Sequence, residues 1–320
     1  MILLEPNSYI LEESLLQRFN SEKKEAVDIK LVDFDGVTYH LSTPTSRSEL
    51  VLSMAVPCFS ELVAHGAQDI LNREYGAHLL PETEQGYHVS MKFDLEKTDQ
   101  DTALSHAAVL SSAALAKHVS LLKRNVFAAP FEKAFKEWET ELEQPGTLMT
   151  VHYREEEAIY IRASEDRVTV IFSTLFNEEM DRIFGKVFLQ EFVDARRLPS
   201  IQNAPQVLYS NREPPLEIRH LPNLKDDESV GYVTFVLFPR HFEHPEVRGK
   251  TISDIQLFRD YLHYHIKCSK AYMHSRMRAR VQDFLKVLNR AKPDRTGTAE
   301  KKLASGRSFR PNPISSRPTV

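Results

Sequence analysis

The feature that most constrains this chain is a stripe of apolar residues near its C-terminal end that recurs every three or four positions. From Ile255 onward the stripe is Phe258, Leu262, Ile266, Met273, Met277, Val281, Phe284 and Leu288, with Ser269 in the one gap. At about 100° per residue these positions fall within an arc of roughly 140°, one face of an α-helix. The spacing predicts a helix over residues 253–291, with Thr251 or Ser253 as N-cap, since a hydroxyl there can accept an orphan N–H of the first turn. A helix of about 40 residues is about 60 Å long, whereas a compact domain of about 100 residues has a radius of gyration near 13 Å. The helix is therefore expected to overhang the domain that carries it. The overhanging stripe then needs cover, from the other half of the chain or from a separate subunit. Its methionines and tyrosines suit an interface.

The other side of this helix is basic. Lys267, Arg278, Lys286 and Arg290 lie off the stripe, and Lys270, Arg276 and Arg280 flank it. The chain as a whole carries a net charge of −4, yet residues 259–310 hold 14 Lys and Arg against 4 Asp and Glu. An acidic body with a basic arm calls for an acidic partner. Charge alone does not choose among protein, anionic lipid and nucleic acid. Tyr261, Tyr264, Tyr272 and Phe284 interleave with the basic residues, as stacking platforms for single-stranded nucleic acid do. Several of them lie on or near the apolar stripe, where packing uses them first.

With 320 residues the chain is long enough for two ordinary domains. The order of predicted elements repeats once. Residues 26–32 and 37–42 read as a hairpin joined by Asp33-Phe34-Asp35-Gly36. A strand at 50–56, a helix at 59–71, a strand at 87–95 and a long helical region at 102–142 follow. In the second half, strands at 148–153, 158–163 and 167–174 precede a helix at 178–196, strands at 207–210 and 232–239, and the final helix. The pattern predicts an α+β fold of two similar domains with antiparallel sheets, each followed by a long helix. The expected divisions are residues 1–145, residues 146–292 and a flexible basic tail at 293–320. Residues 203–227, with Pro214-Pro215, read as a poorly ordered connection, and the Ala/Ser-rich stretch 103–116 as helix-permissive. No run of 18 apolar residues occurs, and the first residues lack the pattern of a signal peptide. Cys58 and Cys268 are too few for a disulfide framework. A reduced, cytoplasmic setting without membrane insertion is expected.

Two constellations suggest chemistry. The run Asp33-Phe34-Asp35-Gly36-Val37-Thr38 looks like the first motif of haloacid-dehalogenase-type phosphatases, in which one Asp attacks phosphate, a second acts as acid, and both hold magnesium. No Gly-Asp-x-x-x-Asp follows downstream, and a hairpin does not supply the parallel strands that chemistry requires. His263, His265, Cys268 and His274 invite zinc. On a helix, however, His263 and His274 are about 16 Å apart along the axis, while zinc ligands sit at about 2.0–2.3 Å. Glu155-Glu156-Glu157 and Asp226-Asp227-Glu228 read as solvated turns. No catalytic residue, metal or cofactor is therefore expected.

Longer blocks carry a resemblance. They are the opening Met-Ile-Leu-Leu-Glu, Asp33–Gly36, Leu122-Lys123-Arg124-Asn125, DRVTVIFST at 166–174, GKVFLQEF at 185–192 and Arg212-Glu213-Pro214-Pro215-Leu216-Glu217. The most extensive are GYVTFVLFPRH at 231–241, FRDYLHYHIKCSKAYMHSRMR at 258–278 and DFLKVLNR at 283–290. Through these blocks the chain resembles the 34-kilodalton subunit family of the actin-related protein 2/3 complex. The resemblance implies a non-catalytic structural subunit of a seven-protein actin nucleator, with no cofactor of its own and residence in the actin cytoskeleton. It implies pairing with the 20-kilodalton fourth subunit in a core that holds the two actin-related proteins. It further implies contact with the side of a mother filament, from which a branch grows, and no role for nucleic acid. On this reading Phe258, Leu262, Ile266, Met273, Met277, Phe284 and Leu288 are interface candidates, and Lys267, Arg278, Lys286 and Arg290 are filament-binding candidates. The stretch 103–116 and the tail beyond Lys292 look longer than the family pattern.

Overall fold

The computed structural model describes residues 4–96, 111–140, 144–195, 198–222, 224 and 227–290, with the backbone of four two-residue strands besides. Residues 105–107 and 110 of the Ala/Ser-rich stretch, and the 293–320 tail apart from its two short strands, lie outside the described residues. In chain order the elements are α1 (Tyr9–Phe19), β1 (Asp28–Val32), β2 (Thr38–Ser42), β3 (Glu49–Ala55), α2 (Phe59–Ala64), α3 (Ala67–Tyr75) and β4 (Val89–Asp94). Next come β5 (Ala103–Leu104), β6 (Ala108–Val109), α4 (Ser112–Ser120), α5 (Leu122–Phe127) and α6 (Ala129–Glu139). The second half holds β7 (Met149–Val151), β8 (Ile159–Ala163), β9 (Val168–Leu175), α7 (Glu179–Ala195), β10 (Gln206–Asn211), β11 (Val230–Leu237) and α8 (Pro245–Arg290), followed by β12 (Lys301–Lys302) and β13 (Ser308–Phe309).

The fold is α+β and its sheets are antiparallel. The first sheet is a meander, β1-β2-β3-β4, and the second has the order β10-β11-β9-β8-β7. The two differ at one point. In the first sheet the strand after the helices pairs directly with the third strand, whereas in the second β11 takes that place and β10 is added outside it. β11 is therefore internal, and all eight of its residues are buried. The β1–β2 hairpin closes as its sequence predicts. Asp33 Oδ1 accepts the N–H groups of Asp35 and Val37, each at 2.9 Å, and Gly36 takes the left-handed φ of 74° that a side chain disfavours.

Residues up to Lys267 form one compact unit and those from Cys268 a second. In the first unit a continuous apolar cluster takes in both sheets, with Leu11 and Leu15 of α1, Phe131 and Phe135 of α6, Leu189 of α7 and the start of α8. A smaller cluster of Ala158, Tyr160, Ile171, Ile218, Val230 and Tyr232 covers the outer face of the second sheet. Ile218 is fully buried there. The Pro-rich connection, read from composition as poorly ordered, thus contributes β10 and a core side chain.

Two other readings are corrected. The helical region at 102–142 is three helices, α4, α5 and α6, with breaks at Leu121 and Ala128. Pro130 sits in the first turn of α6, where its missing N–H costs nothing. The last helix begins at Pro245, not at 251–253. Thr251 and Ser253 lie inside it and turn their hydroxyls back, Thr251 to the His241 carbonyl (2.7 Å) and Ser253 to the Gly249 carbonyl (2.9 Å).

Helix α7 lies against α8 because residue 185 is glycine. A Cβ there would stand 2.6 Å from a ring carbon of Phe176 and 3.3 Å from Ile266 Cδ1. A Cβ on Gly249 of α8 would meet only Arg124 Nη2, at 3.7 Å. Opposite signs follow for one substitution. Gly185→Ala is expected to destabilise the chain by about 1–3 kcal/mol through overpacking, and Gly249→Ala to stabilise it by about 0.5–1 kcal/mol through backbone entropy. Urea unfolding of the two variants checks both signs.

Candidate assembly interface

Helix α8 carries the apolar stripe into two environments. Ile252, Ile255, Phe258, Leu262 and Ile266 are buried in the chain's own core. The Phe258 ring meets Phe235, Phe172 and Phe192 at centroid distances of 4.9, 5.6 and 5.9 Å. His265 stacks on Phe188 of α7 at 5.4 Å. Of the interface candidates, then, Phe258, Leu262 and Ile266 pack within the first unit.

This part of α8 is also held by ions. Glu157, from the β7–β8 connection, is 4% exposed. Its carboxylate accepts the Leu175 N–H and Arg259 Nε, each at 2.9 Å, and Arg154 Nε lies 3.7 Å away. Arg154 reaches on to Asp35 Oδ1 at 3.1 Å and to the Phe34 carbonyl. Lys123 of α5 sits between Asp33 (2.6 Å) and Asp35 (2.5 Å). Burial alone would raise the Asp35 carboxyl, but Lys123 and Arg154 outweigh it and hold the group below its ordinary range. For Lys123 burial acts downward, and the two aspartates more than reverse it.

The network answers two readings of the sequence. Asp33 and Asp35 belong to the turn of an antiparallel hairpin, and both are tied to Lys123. Glu157, read with its neighbours as a solvated turn, is buried at the centre of the ion pairs. Its acidic neighbours concealed it. The one usable signal was that Arg259 stands on the apolar side of α8, where a cation needs a partner. His263, half in the core, has Glu157 Oε1 at 4.0 Å. That is too long for a hydrogen bond, and the ring is neutral. Burial, then Arg259, Arg154 and Lys267, push its pKa down to about 4. Cys268 and His274 are both exposed, and no group of three or more metal-ligating residues comes together among the described residues.

The second unit, by itself, is defined by the remainder of α8. Every residue from Ala271 to Arg290 is exposed. Met273 (39%), Met277 (53%), Phe284 (63%) and Leu288 (49%) remain open, together with Val281, Leu285 and Val287. The helix thus keeps the same apolar period through both environments. A contiguous exposed apolar face of this kind is a candidate interaction surface. Arg278, Lys286 and Arg290 are exposed on other sides, as is Lys267. Lys286 lies 3.6 Å from Asp283, a surface pair of little energetic weight. Arg276 folds over Tyr272, with its Nη1 donating to the hydroxyl at 2.8 Å.

Residues 52–295 match a family model described as "Arp2/3 complex, 34 kD subunit p34-Arc". The chain is similar to a Schizosaccharomyces pombe protein named actin-related protein 2/3 complex subunit 2, 49% identical over 97% of this chain and 99% of the relative. It is also similar to the Dictyostelium discoideum protein of the same name, 36% identical over 98% of this chain and 100% of the relative.

The neutral His263 sets a pH dependence. Between its ordinary value of 6.5 and the folded value of about 4, the unfolded chain takes up a proton that the folded chain does not. Stability should fall as pH drops through that window. His263→Phe is expected to flatten the fall, as read from melting temperatures at successive pH values.

Proposed function

This chain belongs to the family of the Arp2/3 complex 34 kD subunit p34-Arc, and from that membership we propose that it works as a non-catalytic structural subunit that joins the complex through the exposed face of α8. The observation that carries the reading is that face: Met273, Met277, Phe284 and Leu288 are open where the preceding turns of the same stripe are buried. The partner proposed for it is the 20-kilodalton fourth subunit, with which this chain forms the core that holds the two actin-related proteins. Phe258, Leu262 and Ile266 support that interface indirectly, by seating the helix.

The basic residues Lys267, Arg278, Lys286 and Arg290 are proposed to contact the acidic side of the mother actin filament during nucleation of a branch. No cofactor or metal is invoked, and the setting is the cytoplasmic actin cytoskeleton. No helix among the described residues is long and apolar enough to cross a membrane.

Met277→Asp combined with Phe284→Asp is expected to remove about 4 kcal/mol of apolar burial from the interface, roughly a thousandfold in affinity. The fourth subunit should fail to co-purify with this variant while its unfolding curve stays unchanged. An intact complex would refute the interface. Reversing charge at Lys267, Arg278, Lys286 and Arg290 should leave assembly intact and weaken cosedimentation with filaments by about tenfold or more at low salt. An unchanged pellet would remove the filament role.

A further inference from the structure

A second open surface lies in the first unit, among residues the proposed function does not use. Tyr9 and Ile10 at the start of α1, Val32 at the end of β1 and Phe34 in the hairpin turn are 67%, 62%, 69% and 82% exposed. All four line one groove of about 690 Å³, with Tyr39, Phe127, Tyr153 and Phe172 also in its wall. Exposed apolar side chains gathered around one concavity mark a binding site rather than ordinary surface.

Beside the groove the first sheet has an unpaired edge. β1 is outermost. Asp33 N–H donates to the Val37 carbonyl at 2.9 Å and Thr43 N–H to the Val27 carbonyl at 3.0 Å. Given the register, the odd-numbered residues of β1 therefore face β2. The N–H and C=O groups of Asp28, Lys30 and Val32 point away from the sheet. Among the described residues no main-chain group bonds to them. Val32 belongs to both the edge and the groove, so a strand added to β1 would run on into the groove.

Charge selects the occupant. The cations in the lining are already committed. Lys123 is held by Asp33 and Asp35, Arg259 by Glu157, and Arg124 by Ser253 Oγ, the Gly249 carbonyl and Asn125. Two carboxylates in the lining are less fully met. Among the described residues Asp260 has one ion pair, a long one of 3.6 Å to Arg259 Nη1, with Lys123 and Arg154 acting from farther off, and Glu5 forms none. Burial raises the Asp260 carboxyl, in keeping with its weak compensation. We infer that the β1 edge and its groove take up an extended segment of another protein in which a large apolar residue stands next to Lys or Arg. The strand pairs by its main chain, the apolar residue enters between Val32 and Phe34, and the cation meets Asp260 and Glu5.

The test uses the full chain and two fluorescein-labelled decapeptides, one alternating Leu with Lys and its twin alternating Leu with Glu, with binding read by fluorescence anisotropy at physiological salt. The Lys peptide should bind at least about tenfold more tightly than the Glu peptide. Phe34→Ser should weaken it by about tenfold, with a nearly unchanged melting curve because that side chain is 82% exposed. Asp260→Asn with Glu5→Gln should close the gap between the peptides. A Lys peptide N-methylated at every residue, which has no N–H to donate from either edge, should lose most of its affinity. Equal binding of the two peptides, no binding, indifference to Phe34→Ser, or full binding of the N-methylated peptide would each overturn the proposal. None of these results bears on the family assignment, which rests on the sequence matches, or on the interface proposed for α8.

Discussion

The seating of α8 depends on one buried carboxylate. Glu157 lies almost wholly out of water, a position that costs several kcal/mol unless its charge is met. The Leu175 N–H meets it from the end of β9 and Arg259 meets it from α8. Arg154 then carries the pairing to Asp35, and Lys123 carries it to Asp33 and α5. Elements from both sheets and two helices are thereby fixed to one set of charges. Apolar packing holds the first turns of α8 firmly but tolerates some rotation. An arginine that must reach one carboxylate at 2.9 Å does not, since one residue of helical phase is about 100°. The aromatic contacts of Phe258 and the close approach at Gly185 rest on that phase.

Much of the fold could be read from periodicity. Period two gave the β1–β2 hairpin, β3, β4, β8 and β9 to within a few residues, and period 3.6 gave α7 and α8. What escaped was whatever tertiary contact decides. The stripe on α8 reads the same from Phe258 to Leu288, yet its first residues are core and its last are open. Only the positions of Phe172, Phe235 and Phe192 draw that line. The breaks at Leu121 and Ala128 and the early start at Pro245 escaped for a similar reason. Helix propensity runs through them, and turn packing or a proline in the first turn sets the ends. α1 was not read at all, although Leu11, Leu15 and Phe19 are buried at helical spacing.

Polar residues clustered in sequence were read as solvated turns, or weighed as ligands and set aside, and the fold uses several of them as internal partners. Asp33 and Asp35 close a turn and neutralise Lys123. Glu157 was hidden in an acidic run. His263 was weighed as a zinc ligand, but burial first, and then Arg259, Arg154 and Lys267, disfavour a positive charge on its ring. Spacing shows which side chains share a helix face; it does not show which charges of distant segments arrive beside them.

The open stripe has a chemical consequence as well as a mechanical one. Met273 and Met277 stand in solvent, on the face proposed for assembly. A thioether so placed is open to peroxide, and its sulfoxide is polar and chiral where the face needs soft apolar contact. Each oxidation would lower affinity before assembly, while a covered face would be shielded from the oxidant. A free chain would thus age chemically, whereas an assembled one would not, and repair by sulfoxide reduction could act only before docking.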